Sequence, residues 1–140
     1  MSYVSASHFS YAEDWRWENF SPEEMGCQGT GKLFMSETFL DMLQELRRAL
    51  DRPLRISSGY RSPEHNQRVS STGTDGPHTT GKAADILCHG RDAHSLIAVA
   101  LQMGFKGIGV KQRGALHSRF IHLDALTADD GIVRPTVWSY

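Results

Sequence analysis

Pro77-His78-Thr79-Thr80-Gly81-Lys82-Ala83-Ala84-Asp85-Ile86-Leu87-Cys88 leads from a polar loop into an apolar segment, with a histidine near one end and an aspartate inside the other. Upstream, Ser70 to Thr80 is rich in Ser, Thr, Gly and Asp, which favour turns over regular structure, so an irregular loop delivers His78. Gly81 permits a tight backbone path, and Ala83 to Cys88 reads as a buried strand. Asp92 to Met103 follows as an amphipathic helix stopped by Gly104. The chain therefore alternates short strands with helices.

Working outward, Phe39, Met42, Leu43, Leu46 and Leu50 recur at helical spacing from about Ser36, with Asp41, Glu45, Arg47 and Arg48 largely opposite. Ser21-Pro22-Glu23-Glu24 has the form of a capping box with a first-turn proline. Leu54 to Ser57 reads as a strand running into the turn Gly59-Tyr60-Arg61, and Ser62-Pro63-Glu64 starts a helix ending near Ser70. Phe105 to Val110, Arg119 to Asp124 and Thr136 to Tyr140 complete the strands. This pattern predicts an α+β domain, with flanking helices beside a small, mainly antiparallel sheet. One domain is expected over 1–140, its core at about 20–140 and an extension at 1–19.

The 140 residues are 39% hydrophobic and 22% charged, as in ordinary globular chains. A net charge of -1 and the lack of a basic run argue against nucleic acid as a partner. Apolar runs such as Leu96 to Leu101 are too short to span a bilayer. Residues 1–20 carry charge where a signal peptide needs an apolar core, so synthesis in the cytoplasm without a cleavable address is expected. The two cysteines form no CxxC, which excludes a disulfide scaffold or zinc knuckle and leaves two reduced, packed thiols.

A catalytic zinc needs three protein ligands and one open position. His78, Asp85 and His122 would offer two imidazoles and a carboxylate, leaving the site net positive. An acid on the apolar strand at Asp85 needs a partner, which a cation supplies. Strand alternation puts Phe120, His122 and Asp124 on one face, with Asp124 beside His122. His8, His65, His89 and His94 have no such context. Tyr60, Trp138 and Tyr140 read more simply as core aromatics than as a groove lining.

Four ordered blocks carry a family resemblance: Ile56-Ser57-Ser58-Gly59-Tyr60-Arg61-Ser62-Pro63-Glu64-His65-Asn66, His78-x-x-Gly81-x-Ala83-x-Asp85, Gly107-Ile108-Gly109-Val110, and Phe120-Ile121-His122-Leu123-Asp124. Together they resemble the zinc D-Ala-D-Ala carboxypeptidases and murein endopeptidases, in particular the compact C-terminal peptidase domains of phage and bacterial proteins. The likeness runs from about Phe20 to Trp138-Ser139-Tyr140. It implies a hedgehog/D-Ala-D-Ala-peptidase-like fold, one zinc ion per chain on His78, Asp85 and His122, and peptidoglycan stem peptides as substrate for a monomeric hydrolase. By the same resemblance Arg61 points into the groove and binds a substrate carbonyl or carboxylate, for which its planar fork of donors is suited.

Two positions depart from the family pattern. Many members carry Glu or Asp as general base three residues before the last zinc histidine, where this chain has Arg119, which cannot accept a proton. Asp124 and His117 are the remaining candidates. Gly76 stands where the family often has serine. With no signal peptide, the expectation is a phage lysin or a virion-associated wall hydrolase. The alternatives are an inactive zinc-containing wall-binding or virion structural module, and a zinc-free domain that keeps these residues as a polar network.

Overall fold

The computed structural model describes residues 2–140. Its elements are β1 (Tyr3–Ala6), α1 (Pro22–Met25), β2 (Leu33–Ser36), α2 (Glu37–Leu50), β3 (Arg55–Ser58), α3 (Pro63–Val69), β4 (Ala83–Leu87), α4 (Gly90–Met103), β5 (Gly107–Lys111), β6 (Phe120–Asp124) and β7 (Thr136–Ser139). The α+β class is as expected, and strand and helix ends differ from the sequence reading by one or two residues.

Local chemistry sets the helix boundaries. Ser21 and Glu24 form the capping box of α1 with Pro22 behind the cap. Ser36 Oγ accepts from the Phe39 N–H to start α2. Asp51, at φ 50°, ends that helix by donating its N–H to the Arg47 and Arg48 carbonyls. Gly104 ends α4 in the left-handed region that glycine tolerates best.

Five strands form the main sheet in the order β3-β4-β6-β5-β7, antiparallel except for the parallel pair β5 and β7. A two-residue period divides the sheet into two faces. Ala84, Ile86, Ile108, Ile121 and Leu123 share one face and are buried with Phe39, Leu43 and Leu46 of α2 and Leu96 of α4. Helix α2 packs on α4, and α4 on β6. The other face carries one continuous row, because the register pairs Ser58 with Asp85, Asp85 with His122, His122 with Gly109, and Gly109 with Trp138. That row crosses all five strands.

Residues of the N-terminal segment pack on the rest of the chain. Tyr3–Ala6 pairs antiparallel with Leu33–Ser36, and Trp17 is buried in the main core with its Nε1 donating to Asp41 at 2.9 Å. Four-residue strands offer too little alternation to be read from sequence. Both cysteines are free. No helix among the described residues is long and apolar enough to cross a membrane.

Candidate metal centre

The site is built on the polar row of the sheet. His78 enters from a short 3-10 turn, Pro77–Thr80, which ends at Gly81 with φ 76°. A Cβ at Gly81 would lie 2.5 Å from the Phe34 carbonyl oxygen, so the return of the chain onto β4 requires glycine. Asp85 and His122 are directly paired on β4 and β6. All three side chains are buried.

His78 Nε2 lies 3.2 Å from Asp85 Oδ1, and His122 Nδ1 lies 3.0 Å from the same oxygen. The three ligand atoms all fall within 4.8 Å of one another. Donors bound to zinc at about 2.0–2.2 Å stand roughly 3.3 Å apart in a tetrahedron, and both separations from Asp85 Oδ1 are near that spacing, so the three side chains could share one ion. The outward nitrogens are also engaged: His78 Nδ1 donates to the Gly59 carbonyl at 2.7 Å, and His122 Nε2 to Asp124 Oδ2 at 2.8 Å. Those bonds fix both tautomers and aim the remaining lone pairs at the shared centre.

Burial alone would raise the Asp85 carboxyl, yet the facing His78 and His122 rings hold it well below the usual carboxylate range. Burial likewise works to lower His122, but hydrogen bonds and charge from Asp124 and Asp85 outweigh it and raise the imidazole above its ordinary value. The cluster is thus a pocket whose electrostatics favour positive charge at its centre.

Arg61 lies beside this centre. Its Nη2 stands 3.6 Å from Asp85 Oδ2, while Nε donates to Ser58 Oγ and Nη1 to Asn66 Oδ1. Asn66 is itself buried and donates to Thr72 Oγ1 and the Gly73 carbonyl, so the guanidinium is held from behind. The resulting groove, about 520 Å³, has Arg61, His78, Asp85 and His122 on its floor and Phe120, Trp138 and Tyr140 along one side.

Neither general-base candidate reaches that groove. Asp124 is fully buried, and both its oxygens are taken: Oδ2 by His122 and Arg134 Nη2 at 2.8 Å, Oδ1 by Arg134 Nε at 3.0 Å and the Leu126 N–H at 3.3 Å. It orients His122 and faces no solvent. His117 is exposed in the turn Leu116–Ser118 and lines a separate hollow with Arg52, Cys88 and Arg119. Arg119 donates to the Gly114 carbonyl and has the parity of Ile121 and Leu123, the face opposite His122. Asp85 is the one carboxylate among the described residues lining the groove.

Arg134 is a site residue that sequence reading did not find. Its guanidinium lies 5.1 Å from the Trp138 ring, and Trp138 in turn lies 5.0 Å from the His122 ring. Trp138 and Tyr140 line the groove, contrary to the simpler expectation of core packing, whereas Tyr60 does pack in the core. The signal for this lay in Gly107 and Gly109. A Cβ at Gly109 would fall 2.7 Å from the Trp138 indole, and one at Gly107 would fall 2.2 Å from Asp124 Oδ2. Gly107→Ala is therefore expected to cost about 1–3 kcal/mol in denaturant unfolding. Zinc titration of the same variant should show weaker binding, because Asp124 must leave His122.

Comparison with protein families matches residues 18–124 to the family described as Peptidase M15. A search of curated proteins finds no match. The matched span contains Arg61, His78, Asp85 and His122 but stops before Arg134 and Trp138. A three-ligand centre at the floor of a groove and a family match over most of the chain lead to one conclusion: this chain belongs to the peptidase M15 family and is a metallopeptidase.

Proposed function

We propose that the protein is a zinc-dependent hydrolase of peptide bonds in peptidoglycan stem peptides. The observation that carries this reading is the convergence of two tautomer-fixed imidazoles and one carboxylate within reach of one ion, beside a guanidinium held by three partners. Zinc, when bound, polarises a carbonyl and lowers the pKa of water toward neutrality. Everything else falls to the chain's own residues. His78, Asp85 and His122 hold the ion, with Gly59 and Asp124 fixing the rings. Arg61 offers its groove-facing N–H groups to the carbonyl oxygen as negative charge develops there, and needs little reorganisation because Ser58 and Asn66 already position it.

Two donors on a developing oxyanion give a specific expectation. Arg61→Ala should lower turnover on muropeptides by about 10²–10³-fold while zinc content by metal analysis stays at one per chain. Unchanged turnover would remove Arg61 from the mechanism. A protein that sediments with purified walls yet releases no new amines would instead be a wall-binding module. We further propose that it acts on the wall after release from the cell or as part of a virion, a reading that rests on the family likeness.

A further inference from the structure

Charge is unevenly spread along the chain. From Ala93 to Leu123 no Asp or Glu occurs, while Lys106, Lys111, Arg113 and Arg119 do. The net charge of -1 therefore conceals a cationic region, part of which the fold gathers at one end of the main sheet. There the register sets Arg55 beside Leu87, Leu87 beside Phe120, and Phe120 beside Lys111, so a cation stands on each side of an apolar pair.

At the same end lies the hollow of about 270 Å³ that His117 lines. Its walls come from three stretches, 52–55, 86–92 and 116–119, which only the tertiary path brings together. Buried Leu54 and Ile86 contribute apolar surface, while Arg55, His89, His117 and Arg119 contribute nitrogen donors.

Those donors are largely unspent. Arg55 and the rings of His89 and His117 make no hydrogen bond or ion pair among the described residues. Arg119 gives Nε and Nη2 to the Gly114 carbonyl and keeps Nη1 free. Arg52 is occupied by Ser95 and Asp92, and Asp92 is the one acid lining the hollow. Guanidinium forks without a counterion, beside apolar walls, suit an oxyanion that offers several acceptor oxygens, and phosphate matches that geometry.

We infer that this hollow and the adjoining end of the sheet bind phosphodiester groups of an anionic wall polymer, away from the metal groove, and so hold the enzyme on the wall while the groove works on peptide. The choice of source rests on the wall-hydrolase reading. A polymer suits the surface better than a single small anion because the cations are spread: Arg55, Arg119 and Lys111 stand at or next to the ends of β3, β6 and β5, and repeated charges meet several of them at once. The surface also gives Arg119 and His117 a use that the metal centre does not.

The probe is soluble poly(glycerol phosphate), titrated by calorimetry into zinc-loaded protein. Binding should weaken about tenfold between about 50 and 200 mM salt, as for about two released counterions. Arg55→Ala should lose about tenfold in affinity, the scale of one charge-assisted contact, and Arg55→Glu more, with zinc content and turnover on soluble muropeptides unchanged. On whole walls both variants should sediment less than the parent protein, and that difference should vanish once hydrofluoric acid has stripped the phosphate polymers. Undiminished polymer affinity in Arg55→Glu, equal affinity for polyglutamate of matched length, or tighter binding to a DNA duplex would overturn the inference and leave the peptidase untouched. Polymer binding of the expected pattern by a protein that releases no new amines from walls would uphold the surface and count against the hydrolase reading instead.

Discussion

Asp85→Ala is expected to abolish zinc binding at micromolar metal and to lower turnover by more than about 10⁴-fold, because the water nucleophile reverts from a pKa near 7 toward 15.7 once the ion is lost. Asp85 is the hub of the centre: one oxygen faces both histidines and the other faces Arg61. Removing it leaves the His78 imidazole and the Arg61 guanidinium without their facing carboxylate, so the fold also loses stability. Metal analysis, turnover and thermal unfolding measured on one preparation separate these effects. A variant that still holds one zinc per chain would show that the three side chains are not the ligand set.

The same cluster ties zinc binding to pH with a definite sign. The folded pKa of His122 is raised, so in metal-free protein its stabilising contribution is complete below the unfolded value near 6.5 and is lost as pH climbs through the higher folded value. Asp85 is depressed, so its contribution is present above about 3.9 and lost only as pH falls through its lower folded value. Metal-free protein should therefore be most stable in mild acid, between those limits. Zinc requires neutral imidazoles, so a raised His122 pKa makes protons compete more strongly with the metal as pH falls. The rise in Tm on adding zinc should accordingly widen from pH 6 to pH 8.

What could be read from sequence, and what could not, divides along the sheet. Asp85 and His122 announce themselves because polar ligand types interrupt apolar strands, where a buried charge needs a partner, and His78 by its place in the ordered block that runs on to Asp85. Arg61 follows from its block, and the α+β class from helical spacing in 36–50 and 92–103. Arg134 carries no such mark. It lies ten residues beyond Asp124 across an irregular loop, and only the tertiary path sets its fork on that carboxylate. His117 failed for the converse reason, since proximity in sequence to His122 did not prevent the 3-10 turn from pointing it at another hollow. Asp124 was correctly placed beside His122, but sequence alternation says nothing about whether water reaches it. Here a bidentate arginine and a backbone N–H close it off.

That closed pair yields the second large effect. Arg134 and Asp124 are both buried and joined by two N–H···O bonds at 3.0 and 2.8 Å. Burial pushes the Asp124 carboxyl up, but His122 and Arg134 hold it down at about 2. Arg134→Ala strands the carboxylate in the interior with only His122 and one backbone N–H, which is expected to cost about 3–5 kcal/mol. For a chain of this size that is a fall in Tm of roughly 10–15 °C. Since Asp124 then reorients or takes up a proton, His122 loses its fixed tautomer and zinc affinity should drop about 10–100-fold. Arg134→Lys keeps the charge without the planar fork and should fall between. If the role were packing alone, lysine and alanine would lower stability without moving zinc affinity. A cycle combining Arg134→Ala with Asp124→Asn decides it: the double variant should lose much less than the sum of the two single losses, because each single change already breaks the same pair.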